Sequence, residues 1–170
     1  MQRKAKKVRI GIILFGSFIL FAILFSAKRI SLHLRNDDSI DNKDVILQNK
    51  ENNCGPAALK MIFDHYKIPA TLAEIENKVG LNNRGTSMLA LKEMADLKGL
   101  HAEGWRLSLE DFLKTTFPVI LFVNGDHYIV ADSVLSDTLF FRDPALGKLR
   151  LRINKLPEKW NGETLVFKQQ

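Results

Sequence analysis

Cys54-Gly55-Pro56-Ala57-Ala58-Leu59 decides how this chain is read. The cysteine is the only one in the 170-residue sequence, and a helix opens at it. Pro56 falls in the first turn, where a missing N–H costs nothing. Leu59, Ile62, Phe63 and Tyr66 then recur at helical spacing and form a buried face. A thiol at a helix tip sees oriented N–H dipoles, which favour the thiolate, the form that attacks carbonyls. A lone cysteine is ordinarily a small buried hydrophobe. Here Asn52, Asn53, Gly55 and Pro56 are poor core company. One thiol cannot close an internal disulfide, so cysteine usage leaves the redox compartment open.

Partners for such a thiol lie on both sides. Gln48 upstream offers an amide donor for an oxyanion, with the backbone N–H of Cys54 as the second. His127 follows the Gly125-Asp126 turn at the mouth of a strand, with apolar alternates behind it. That differs from His33 in a linker, His65 on the first helix and His101 at the start of a strand. Asp143 ends a strand that pairs with the histidine's strand across the Ser136-Asp137 turn. The hairpin places position 143 opposite about 130. Contact with His127 therefore needs a bulge in the register or a larger loop. Its role would be to hold the imidazole tautomer. Asp143-Pro144 is equally a common turn initiator. Asp126 is set aside, because adjacent strand residues face opposite ways. Trp105 and Trp160 read as core or rim aromatics.

The surrounding pattern is α+β. Thr71-Leu72-Ala73-Glu74 is a capping box opening a second helix that Gly80 stops. Thr86 or Ser87 opens a third helix through Lys98, and Ser108 caps a short fourth. Strands follow at 119–123, a continuous apolar run buried on both faces, then at 127–134, 138–142 and 148–153. Asn124-Gly125 is a strong turn dipeptide. A short helix at 156–160 and a strand at 164–167 complete the map. No metal-ligand spacing and no Gly-rich phosphate loop occurs, so neither a metal, a cofactor nor a nucleotide is expected.

The net charge of +6 is concentrated at the start. Arg3, Lys4, Lys6, Lys7 and Arg9 precede an uncharged run at 10–27, which argues against a nucleic-acid-binding stripe on the folded domain. As a helix the run rises about 27 Å, enough for a bilayer core of about 30 Å. It reads as a transmembrane anchor preceded by a basic flank, 1–9, and followed by a linker, 28–42. The charge asymmetry puts the N-terminus in the cytoplasm and the domain at 43–170 outside. The rival is a cleaved signal peptide, disfavoured by Phe25 three residues before a cut at Ala27.

Taken together, Gln48 to Cys54, the run from Cys54 to Leu59, Arg84-Gly85-Thr86-Ser87-Met88-Leu89, Phe117-Pro118-Val119-Ile120-Leu121, Gly125-Asp126-His127-Tyr128-Ile129-Val130 and Asp143-Pro144-Ala145-Leu146-Gly147 resemble peptidase family C39. These are the bacterial double-glycine leader peptidases of the papain-like superfamily. The resemblance covers nearly all of 43–168. It implies a papain-like fold, with helices packed on an antiparallel sheet. It implies Cys54 as nucleophile, His127 as base, Asp143 as third member and Gln48 as oxyanion donor. It also implies a Gly-Gly-type leader peptide as substrate and a separate peptide exporter as partner. Two departures stand out. Asn53 replaces the family's frequent aspartate. An anchor of its own, with lipid as its partner, replaces the family's usual place as a cytoplasmic domain of an exporter. A non-catalytic peptide-binding module and an acyl transferase remain alternatives on the same residues.

Overall fold

Asn53 precedes the first helix, α1 (Cys54–His65). A helix leaves its first N–H groups without internal partners. Here Pro56 has none to leave, and Ala57 already donates to the Asn53 carbonyl at 3.0 Å. The computed structural model describes residues 42–169. The basic flank at 1–9, the anchor at 10–27 and all of the linker but Asn42 lie outside the described residues. Among the described residues no helix is long and apolar enough to cross a membrane.

Local signals hold along the helical half. Thr71 and Glu74 form the reciprocal capping box of α2 (Leu72–Lys78). Ser87 caps α3 (Met88–Leu97), accepting from the Ala90 N–H. Ser108 caps the one-turn α4 (Leu109–Phe112). Gly80 and Gly99 end their helices with φ of 64° and 80°, where a side chain would be strained.

The strands β1 (Leu100–Arg106), β2 (Val119–Val123), β3 (His127–Leu135), β4 (Thr138–Asp143), β5 (Gly147–Arg152) and β6 (Trp160–Gln169) form one antiparallel sheet in the order β1-β6-β2-β3-β4-β5. Leu59, Ile62 and Phe63 of α1 pack with Ile120, Tyr128 and Val130 on one face. Phe112, Leu121, Ile129, Leu139 and Trp160 fill the other. Strand β2 and the first half of β3 thus place core side chains on both faces, as the apolar run at 119–123 predicts for β2.

Two elements near the C-terminus differ from expectation. The short helix is 3₁₀, at Ile153–Glu158, because Pro157 lacks the donor an α-helix needs. The last strand is longer than its apolar stretch, because β6 is hydrogen-bonded on both edges, to β1 and β2.

Gly55 explains how closely the helix tip approaches the sheet. A Cβ there would lie 2.7 Å from Thr86 Cγ2 and 3.1 Å from Tyr128 Cδ2. Gly55→Ala is expected to cost about 1–3 kcal/mol through overpacking. Adding Thr86→Ser, which deletes the offending methyl, should return part of it. Thermal unfolding midpoints of the three variants check this.

Candidate active site

The N-terminus of α1 meets the start of β3, and that meeting brings Cys54 to His127. The thiol feels the His127 ring and the backbone N–H groups of Tyr128 and Gly55, all of which favour its ionised form. His127 Nε2 lies 2.8 Å from Asp143 Oδ1, which leaves Nδ1 for the sulfur. The same Asp143 oxygen accepts from the Ala145 N–H at 2.7 Å, so the turn after β4 fixes the carboxylate. Cys54 is 7% exposed, yet it lines a cleft of about 440 Å³ with Asn52, Arg84, Thr86, Phe122 and Asp126.

Asp143 reaches the imidazole because of one extra residue. Near the turn, Leu135 pairs with Thr138 and Ser133 with Phe140; beyond it, Ala131 pairs with Phe141 and Val130 with Arg142. Asp132 is therefore a bulge. An unbroken ladder would set 143 opposite 130, on the face away from His127, because side chains alternate. The bulge moves it opposite 129, on the face that 127 shares.

The electrostatics are those of an ion pair. Burial pushes the Cys54 thiol up, but the His127 hydrogen bond, the Tyr128 N–H, the His127 charge and the Gly55 N–H outweigh it and hold it below the usual thiol value. Burial opposes charge on His127 as well. The hydrogen bonds to Asp143 and Cys54, and the charges of both, push it up to about 10. Both shifts favour the charged forms, thiolate and imidazolium.

Gln48 is tied in differently. Its backbone N–H donates to the Pro144 carbonyl at 2.7 Å, joining its segment to the Asp143 turn. Its side-chain nitrogen donates to the Lys50 carbonyl at 2.9 Å, and Oε1 is buried without a partner. Two of the sequence-derived residues, His127 and Asp143, are thus hydrogen-bonded and Cys54 lies with them electrostatically, while Gln48 joins through its backbone with its amide turned into its own loop. Asp126 is exposed on the cleft rim. Among the described residues no three His, Cys, Asp or Glu side chains converge as a metal site.

Sequence reasoning missed the support beneath the thiol. Asn53 is fully buried. Its Nδ2 donates to Glu76 Oε1 at 2.6 Å and to Asn49 Oδ1 at 2.8 Å, and its Oδ1 accepts from the Lys50 N–H. Lys50 above all, with Asn53, holds the Glu76 carboxyl below the usual carboxylate range against the effect of burial. The only signal in the sequence was an asparagine beside the cysteine. Its partner is 23 residues away. An aspartate at 53 would turn an acceptor toward Glu76. Asn53→Asp is expected to cost about 2–3 kcal/mol near neutrality. Protonating one of two facing carboxyls relieves repulsion, so the deficit should shrink as pH falls. Unfolding midpoints of parent and variant between neutral and acid pH check the sign.

A helix tip carrying a thiol, set against a strand mouth carrying an imidazole backed by a carboxylate, on helices over an antiparallel sheet, is the papain-like architecture. The chain belongs to the Peptidase C39 family, whose model matches residues 42–170. It is similar to an uncharacterized protein of Methanothermobacter thermautotrophicus, at 28% identity over 77% of this chain and 92% of that protein. It is also similar to the lactococcin-G-processing and transport ATP-binding protein LagD of Lactococcus lactis, at 29% identity over 74% of this chain, but it spans only 19% of LagD. Among solved structures it resembles the double glycine motif protease from an AMS/PCAT transporter in complex with the leader peptide. That match has a TM-score of 0.72 and 29% identity over 74% of this chain and 91% of that one.

Proposed function

We propose that this chain is a membrane-anchored cysteine endopeptidase that cuts after a Gly-Gly-type leader sequence. The observation that carries the reading is the His127–Asp143 hydrogen bond at 2.8 Å, set beside a helix-tip thiol that the imidazole pushes toward ionisation. The Cys54 thiolate attacks the scissile carbonyl, whose electrons move onto oxygen. The imidazolium of His127 gives its proton to the leaving amine. A water, deprotonated by the same ring, then releases the acyl group as a carboxylate. Asp143 keeps the ring oriented throughout.

The oxyanion is held by the free N–H of Cys54 and by Gln48. The resting amide of Gln48 leaves a buried oxygen unpartnered, at a cost of about 1–3 kcal/mol. Rotating that amide to meet the oxyanion gives up little. Residues 10–27 anchor the chain, with the basic flank at 1–9 cytoplasmic and the domain on the outer side. A leader-bearing peptide is the substrate, and a separate exporter is the partner. Both follow from the likeness to LagD and to the leader-bound protease.

A synthetic leader peptide ending in Gly-Gly before its cargo tests the reading. Mass spectrometry should show one cut, after the second glycine, with heavy oxygen from labelled water in the new carboxylate. Valine in place of that glycine should stop it. A reactive thiol with no cut in any such peptide would overturn the leader-peptidase reading and favour an acyl transferase.

A further inference from the structure

Arg142 and Asp132 lie outside the chemistry just described, yet both adjoin what makes it possible. Asp132 is the bulged residue of β3, and Arg142 immediately precedes Asp143. Arg142 is 8% exposed. Its Nε donates to both Asp132 oxygens at 3.0 Å, and its Nη2 donates to Oδ1 at 2.7 Å. Its Nη1 donates to the Asp44 carbonyl at 3.0 Å, in the segment that leads into Gln48. One guanidinium thus grips the extra residue, the strand bearing Asp143 and the chain entering the oxyanion segment.

We propose that the Arg142–Asp132 pair is a positioning device that holds the β3 bulge, and with it the face on which Asp143 meets His127. A bulge leaves one residue out of the ladder, and here a side-chain contact takes hold of that residue. Here the fixing contact is a planar fork on a carboxylate, which no lysine reproduces. Without it, β3 and β4 can return to unbroken pairing, and that register turns Asp143 to the far face. The pair touches no reacting atom and acts through Asp143 alone. The inference rests on the Cys54–His127–Asp143 reading.

The test needs no substrate. In the full chain, His127 is titrated by the NMR signals of its ring, and Cys54 by thiolate absorbance, in the parent, Arg142→Gln, Asp132→Asn and the double variant. An opposite charge at this range is worth about 1–3 pH units to its partner. In folded variants the His127 midpoint should fall by at least about one unit, and that of Cys54 should rise. The two single changes should not add, because each undoes the same contact. Arg142→Lys should behave like Arg142→Gln. Folded variants whose two titrations overlay the parent's would overturn the proposal, leaving the pair a role in stability alone. Failure of both single variants to fold would have the same meaning. A parent in which His127 and Cys54 titrate as isolated groups would instead sink the catalytic reading, and this inference with it.

Discussion

Cys54→Ala is expected to reduce leader-peptide cleavage to background, a fall on the order of 10⁴–10⁶. Nothing else in the sequence can replace the sulfur, since it holds no second cysteine. What remains would be the slow contribution of binding and of the oxyanion donors. The fold should survive. The residue is small, and truncating it removes one sulfur from a site that already opens on a cleft. A thermal midpoint within a few degrees of the parent's, beside lost cleavage, is the expected pair of results. A Cys54→Ala protein that still cuts at the parental rate would end the peptidase reading. A parent thiol that alkylates slowly at neutral pH would favour the peptide-binding module.

His127→Ala removes the base and the counter-ion at once. Cleavage should fall by about 10²–10⁴ from the loss of proton transfer alone. The thiol should respond as well. Without the His127 hydrogen bond and charge, burial is opposed only by the Tyr128 and Gly55 N–H groups. The Cys54 midpoint then rises, and thiolate absorbance appears only at higher pH than in the parent. The parent's pH profile follows from the same shifts. Cys54 is held below the ordinary thiol value, so its thiolate forms at a lower pH than a free thiol's. His127 is held up to about 10, so the imidazolium persists until the ring loses its proton there. Cleavage should therefore rise as the thiol ionises, below the ordinary thiol value, and fall near pH 10 with the ring. An alkaline fall near the ordinary histidine value would show that Asp143 does not support the imidazole.

Much of the site could be read from residue order because its parts are local. A cysteine before Gly-Pro at the start of an amphipathic run announces a helix tip, and the tip is where α1 places it. The caps at Thr71, Ser87 and Ser108 are each satisfied within three residues. Strand β2 was legible as an apolar run and β3 as the strand after Asn124-Gly125, whose φ angles of 55° and 78° suit that dipeptide. The short helix expected at 156–160 begins three residues earlier, at Ile153–Glu158, because Trp160 is taken up by β6. The ends of β6 were missed because its neighbours, rather than its own residues, extend it.

Sequence alone determined that this chain has a thiol at a helix tip, a histidine at a strand mouth and a carboxylate at the end of the next strand. Each of those positions follows from short-range periodicity and turn chemistry. Only the tertiary structure decided that the carboxylate shares the histidine's face. That depends on the parity of a ladder, which one unpaired residue reverses, and on a guanidinium that grips this residue across the hairpin. It likewise decided what the Asn53 beside the cysteine must face, the carboxylate of Glu76 on another helix, which an acid there would oppose. Alternation, burial and charge opposition act between segments distant in the chain, so no window of sequence contains them.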